Sequence, residues 1–186
     1  MTSRKDIWNN RYANKSPGLQ PPHNYLVKHL VQFQPGSVLD LACGLGNNSI
    51  YLAQQGYQVI AVDFASEALR LLTNFQKESD LEIQMLELDL SIPQDIKQLP
   101  ETNNVIAFRY RLSMDLLEAI PKLLKSRGLF LYCTYNMEHH RRTGFPEQHC
   151  LSSGELVGKS WDMELISYDS FDWSNARYDG YVFKKT

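Results

Sequence analysis

Apolar positions along this chain fall into two periods. Short clusters rich in Val, Ile and Leu read as strands, and longer stretches with apolar residues three and four apart read as amphipathic helices. Residues Arg4–Asn14 are predicted to form a helix, with Ser3 as N-cap and Asp6 in the first turn. Pro17, Gly18, Pro21 and Pro22 then enforce a loop. From His23 to Phe33, the positions Tyr25, Leu26, His29, Leu30 and Phe33 recur at helical spacing, and Pro35-Gly36 ends that helix. SVLDLAC reads as a buried strand, followed by a glycine loop. Asn48–Gln55 is predicted helical, capped by Asn47 or Asn48 and stopped by Gly56. QVIAVDF is a second strand. Ser66 is predicted to cap a third helix whose inner face is Ala68, Leu69 and Leu72. EIQMLELDL, with period-2 alternation, and NVIAFRYR are the third and fourth strands. Met114–Lys125 reads as a helix containing Pro121, and GLFLYCTY as the fifth strand.

Beyond that point the pattern weakens. His139 to Cys150 reads as a polar, basic loop, and Ser152–Ser160 as a short helix. MELISYDSFDW and ARYDGYVFKK close the chain as strands paired in a hairpin about Ser174-Asn175. The whole predicts an α/β fold: a Rossmann-like, mostly parallel seven-stranded sheet with helices on both faces and a C-terminal antiparallel hairpin. No linker or repeat divides residues 1–186, so a single domain is expected.

Composition adds limits rather than direction. The chain is 43% hydrophobic and 22% charged with a net charge of -2, so nothing favours general attraction to nucleic acid or anionic lipid. The cysteines Cys43, Cys133 and Cys150 are odd in number and far apart, which argues against a disulfide framework or a zinc knuckle. MTSRKDIWNNRY has no long apolar run, so neither a secretion signal nor a membrane span is expected there, and a reducing cytoplasm is the expected setting.

The chemistry gathers at strand ends. In an open parallel sheet, ligands bind beyond the carboxyl ends of the strands at the switch point. Ala42-Cys43-Gly44-Leu45-Gly46-Asn47-Asn48 stands there, and Gly44 and Gly46 let backbone approach a ligand closely. Asp40 offers a carboxylate to the same crevice. Asp63 ends the second strand, where a carboxylate accepts from vicinal ribose hydroxyls. Asp89 ends the third, where one accepts from an exocyclic amine such as that of adenine. Three carboxylates at successive strand ends beside a glycine loop point to a nucleoside ligand. Ser49 stands where the dinucleotide fingerprint needs its third glycine, which disfavours a pyrophosphate.

These residues carry a family resemblance. VLDLACGLGNNSIYLAQQGYQVIAVDFASEAL resembles the first two motifs of class I S-adenosylmethionine-dependent methyltransferases. DIWNNRYAN is similar to the Trp-x-x-Arg-Tyr opening of small bacterial methyltransferases related to the tellurite-resistance and thiopurine enzymes. NVIAFRYRL, GLFLYCTYN and the stretch before SSGEL extend the likeness over nearly the whole chain. The resemblance implies S-adenosylmethionine as cofactor. Asp40, Gly44 and Gly46 would line its methionine end, with Ala42 in the same loop. Asp63 would hold the ribose, with Phe64 flanking the adenine and Asp89 and Leu90 bordering it. Phe108, with Arg109 and Tyr110, would lie under the sulfonium. Trp8, Arg11 and Tyr12 would close over the cofactor as part of an N-terminal covering segment, residues 1–34. Two departures stand out. Lys125-Ser126-Arg127-Gly128 replaces the family's Lys-Pro-Gly-Gly turn, and the fourth strand ends in Arg109-Tyr110-Arg111.

Methyl transfer from a sulfonium needs alignment and exclusion of water more than acid–base chemistry, so no dedicated catalytic group is required. Candidate acceptor-site residues are Arg109, Tyr110, Arg111, His139 and His140. The arginines and His139-His140-Arg141-Arg142 suit an anionic substrate, against a plain reading as solvated charge. The spacing of His139, His140, His149 and Cys150 matches no standard metal site, and none is expected. Tyr132 and Tyr135 read as sheet packing, Cys43 as a small buried residue, and Trp161 and Trp173 as core. The expected partner is a small-molecule methyl acceptor, to a monomer or homodimer, with neither membrane nor nucleic acid. Two other readings remain: a cofactor-binding protein without transfer activity, and a nicotinamide-dependent oxidoreductase.

Overall fold

The computed structural model describes residues 2–18, 20–159 and 161–186. Five strands alternate with helices: β1 (Ser37–Leu41), β2 (Gln58–Asp63), β3 (Ile83–Glu87), β4 (Thr102–Phe108) and β5 (Leu124–Tyr135). Two more, β6 (Met163–Trp173) and β7 (Ala176–Lys185), form the terminal hairpin. Among the described residues they make one sheet in the order β3-β2-β1-β4-β5-β7-β6. β1 to β5 pair in parallel, and β7 runs antiparallel to both β5 and β6. The hairpin turn takes positive φ at Ser174 (47°) and Asn175 (62°), the type I′ geometry that matches strand twist.

The central strands are apolar on both faces because helices cover both. On β1, Val38 packs into one core and Leu39 and Leu41 into the other; on β4, Ile106 and Phe108 oppose Val105 and Ala107. The helices α2 (Asn24–His29), α3 (Asn47–Gln54) and α4 (Ser66–Ser79) cover the first face through Leu26, Ile50, Leu52 and Leu72. The short α5 (Pro93–Ile96) and α6 (Met114–Leu123) cover the second, α5 through Ile96 and α6 through Leu116, Leu117 and Ile120. Pro121 is accommodated inside the last turn of α6.

Helix α1 (Arg4–Tyr12) differs from these. Ser3 caps it as the sequence predicts, here in a reciprocal capping box with Asp6, yet the helix buries no residue. Polar and aromatic contacts, rather than a buried apolar face, place it over the C-terminal end of the sheet.

Several local expectations are corrected. Neither Asn47 nor Asn48 caps α3: the cap is Gly46, in a left-handed conformation at φ 72°. The asparagine side chains are used elsewhere, Asn47 Oδ1 accepting from the Gly18 amide (3.1 Å) and Asn48 Oδ1 from that of His23 (2.9 Å). They tie the proline-rich segment to the start of α3. Ser66 lies inside α4 rather than capping it. Asn9 of α1 supplies the missing cap, its Oδ1 accepting from the Glu67 amide at 3.0 Å. Residues after His139 are not a loop throughout: α7 (Met137–Thr143) forms because Asn136 accepts from the amides of Glu138 and His139. The helix expected over Ser152–Ser160 is a run of turns, with Gly154 and Gly158 at positive φ; its endpoint, Ser160, lies outside the described residues.

Candidate functional site

The strand order reverses between β1 and β4, so the crevice of a doubly wound sheet opens between their C-terminal ends. The glycine loop leaves β1 here. Asp63, at the end of β2, reaches across it: one carboxylate oxygen accepts from the Gly44 amide (2.8 Å), the other from the Ala65 amide (2.9 Å). Its carboxylate thus joins the turn after β1 to the turn after β2. Burial raises the pKa of Asp63, opposed by these amide bonds. Each oxygen retains a lone pair for a further donor.

Asp40 is buried beneath the loop and accepts from the Ser49 hydroxyl at 2.6 Å. Burial lifts its pKa to about 7, with Asp63 adding to the rise and Ser49 and Arg109 opposing it. The residue in place of the third glycine therefore has a positive role: Ser49, itself fully buried, satisfies Asp40.

Two residues lining this crevice are strained. Ala42 (φ 56°) and Arg109 (φ 54°) adopt left-handed backbone without being glycine. Replacement Ala42→Gly relieves that strain at a cost in unfolded-state entropy, for an expected net gain of roughly 0.5–1 kcal/mol. Urea denaturation of the two proteins measures it, and an unchanged or lower midpoint would show that the strain at Ala42 does not exceed the entropy cost of glycine. The Arg109 guanidinium has no hydrogen-bond or ion-pair partner among the described residues, and its charge acts on Asp40, Tyr12 and His23.

Helix α1 roofs the crevice. Tyr12 sits so close to the glycine loop that a Cβ on Gly44 would meet its hydroxyl at 2.9 Å. Trp8 stacks on Tyr12 (5.8 Å), and Arg11 lies over Trp8 (4.7 Å). At the other end of α1, Arg4 donates to both oxygens of Asp89 (2.5 Å) and covers the Phe64 ring (4.8 Å), while Lys5 pairs with Glu87. Burial tends to raise the pKa of Asp89, but the bonds from Arg4 and Ser91 more than offset it and hold the group low. Leu90 is buried beside Asp89, and Tyr110 is half-buried within reach of the charges on Arg4, Asp89 and Asp63.

The expected site residues thus divide. Asp40, Ala42, Gly44, Gly46, Asp63, Tyr12, Phe108 and Arg109 gather at the β1–β4 crevice. Phe64, Asp89 and Leu90 form its far side under Arg4, and Trp8 and Arg11 its roof. Arg111 is committed elsewhere, to the Cys150 carbonyl and to Glu155 (2.8 Å). His140 Nδ1 is bonded to the Phe145 carbonyl at 2.7 Å, and His139 is stacked on Tyr135. Trp173, expected in the core, is only partly buried. Its ring lies 4.1 Å from His23, whose own ring is 4.8 Å from Phe108. Sequence reading missed His23, Arg4 and Asn9. The only sequence signal was the density of polar groups in α1, which a helix packed by its apolar face does not need.

His23 is caged by Phe108, Trp173 and Tyr178, and burial lowers its pKa to about 3, with Arg109 adding to the effect. Its Nδ1 accepts from the Tyr25 amide at 3.2 Å, so the neutral ring carries its proton on Nε2, 3.9 Å from Cys133 Sγ. A ring fixed in this tautomer is a helix cap, not a base.

This sheet order, with a glycine loop after β1 and carboxylates near the C-terminal ends of β1, β2 and β3, is the Rossmann-like fold of class I S-adenosylmethionine-dependent methyltransferases. Coclaurine N-methyltransferase bound to N-methylheliamine and SAH superposes with a TM-score of 0.70 over 96% of this chain and 80% of that one, at 13% identity. TehB from Haemophilus influenzae superposes at 0.71 over 98% of this chain and 67% of that one, at 18% identity. Residues 4–123 match the family described as tellurite resistance protein TehB, and the chain belongs to that family. Among curated relatives, a probable S-adenosyl-L-methionine-dependent methyltransferase TehB of Haemophilus influenzae (strain 10810) is 24% identical over 133 residues. That is 72% of this chain and 42% of the relative. The chain spans less than half the length of the first curated relatives it matches. Among the described residues, no helix is long and apolar enough to cross a membrane.

Proposed function

We propose that this chain binds S-adenosylmethionine in the β1–β4 crevice and directs methyl transfer to a small-molecule acceptor. The observation that carries the reading is the double engagement of Asp63, which locks the glycine loop to the end of β2 and leaves lone pairs for two ribose hydroxyls. The loop itself fits a ligand pressed against backbone, since a Cβ on Gly44 has no room beneath Tyr12.

When bound, the cofactor supplies a methyl group already activated on a sulfonium. The chain's residues bind, orient and shield. Asp63 and Phe64 hold the nucleoside end, with Asp89 and Leu90 at the adenine edge; Asp40, Ala42, Gly44 and Gly46 shape the methionine end. Trp8, Arg11 and Tyr12 keep water out from above, and Phe108 forms the floor beside Arg109 and Tyr110. Neither His23, which carries its proton on Nε2, nor Asp40, which is bonded to Ser49, is placed to act as a base in the crevice. The reading therefore takes the acceptor in its reactive form: a thiolate, a neutral amine or an oxyanion.

Isothermal calorimetry with S-adenosylmethionine, S-adenosylhomocysteine and NADH tests the reading. Saturable binding of the two adenosyl ligands with no heat from NADH is expected. Silence from both adenosyl ligands at millimolar concentration sinks it, and binding of NADH instead selects an oxidoreductase. A panel of metalloid oxyanions, thiols, amines and hydroxyl compounds then separates an enzyme from a protein that only binds cofactor.

A further inference from the structure

A shallow cleft of about 400 Å³ opens between α7 and the β6–β7 turn, lined by His139, Arg142, Asp172, Trp173, Asn175 and Arg177. It stands at the same edge of the sheet as the glycine loop, because β5 ends and β7 begins there. Two aromatic rings separate it from the end of β4: Trp173, which forms its wall, and His23, which packs against Phe108. Its lining residues lie beyond residues 4–123, outside the family match.

The floor of the cleft already shows how a carboxylate sits in it. Arg142 Nη1 donates to one oxygen of Asp172 (2.7 Å) and Arg177 Nη1 to the other (3.2 Å). Two guanidiniums thus grip opposite edges of one carboxylate, a geometry suited to planar anions. The Asp172 side chain is 58% exposed, so its pairing with the arginines is weak and exchangeable. Charge favours such exchange: among the described residues, Arg141, Arg142 and Arg177 pair only with Glu138 and Asp172, leaving one cation in excess. His139, which lines the cleft, has a buried Nδ1 without a hydrogen-bond partner among the described residues.

We propose that this cleft recognises the carboxylate of a small, planar ligand, which replaces Asp172 between Arg142 and Arg177 while the ligand's unsaturated body lies along Trp173. Asp172 is then an internal stand-in for the ligand's carboxylate. Because Trp173 and His23 wall the cleft off from the end of β4, the ligand is bound apart from the methyl-transfer crevice, and the site does not rest on the methyl-transfer reading.

Benzoate is a suitable probe, with benzamide as its neutral counterpart and sulfate as an inorganic anion, each titrated at constant ionic strength into the whole chain and followed by tryptophan fluorescence. Benzoate is expected to saturate in the millimolar range, benzamide and sulfate to bind at least tenfold more weakly, and Trp173→Phe to lose the response. Arg177→Ala should weaken benzoate at least tenfold. Asp172→Asn should tighten it several-fold, a gain that misfolding cannot imitate. Equal binding of benzamide or sulfate, or unchanged affinity in Asp172→Asn, overturns the proposal. Binding of S-adenosylhomocysteine is read on the same samples. Its absence removes the methyl-transfer reading and leaves a carboxylate site standing, whereas its presence without a benzoate response overturns the cleft alone.

Discussion

Asp63→Ala is expected to weaken S-adenosylhomocysteine binding at least tenfold and to cost the fold about 2–6 kcal/mol. The two losses share one cause. The carboxylate is buried and is the acceptor for two buried amides, those of Gly44 and Ala65. Truncation removes the partners of both N–H groups at once, each worth about 1–3 kcal/mol when left unsatisfied. It also releases the glycine loop from the end of β2 and deletes the acceptor proposed for the ribose hydroxyls. Asp63→Asn separates the effects. Its amide oxygen retains one acceptor while its NH₂ faces a donor, so its stability should fall between those of the alanine variant and wild type. Calorimetry gives the affinity and urea denaturation the stability. An unchanged dissociation constant in a folded Asp63→Ala protein would place the ribose elsewhere.

The second large effect is a pair of opposed pH dependences. His23 has a folded pKa of about 3, below the 6.5 of an unfolded chain, so the unfolded state binds the extra proton between those values. Its contribution is whole above pH 6.5 and falls on acidification, by at most about 1.4 kcal/mol per pH unit. Asp40 does the reverse. Its folded pKa of about 7 lies above 3.8, so its contribution is whole below pH 3.8 and is lost as pH rises through 7. Between pH 4 and 6.5 the two slopes offset each other. Relative to wild type, a His23→Asn protein, which keeps an N-cap side chain, should gain stability as pH falls from 6.5. Asp40→Asn should gain stability as pH rises from 4 to 7. Each difference should approach about 1.4 kcal/mol per unit in denaturation curves taken at half-unit steps. Parallel curves for wild type and either variant would mean that the group titrates alike in both states.

These effects show where linear reading worked. The burial run SVLDL, the glycine loop and Asp63 are local: a strand buried on both faces must be continuously apolar, and a turn against a ligand needs glycine. Asp40 was legible as a strand-end carboxylate, but its partner Ser49 was legible only as a missing glycine. Nothing in the spacing says that a hydroxyl nine residues on will meet that carboxylate at 2.6 Å. As a strand-end carboxylate Asp89 is open to a donor in the sequence, yet Arg4, 85 residues away, holds both its oxygens.

By itself, the order of residues determined the alternation of strands and helices, the parallel sheet with its terminal hairpin, the glycine loop and the succession of strand-end carboxylates. Each follows from hydrophobic period or turn chemistry within a dozen neighbouring residues. Only the tertiary structure decided which polar groups meet: Asn9 with the start of α4, Arg4 with Asp89, His23 with its aromatic cage, and Arg142 and Arg177 with Asp172. The physical reason is that burial of apolar surface is non-directional and is read from pattern alone. Hydrogen bonds and ion pairs need atoms within about 3 Å, so they exist only once distant segments have been folded side by side.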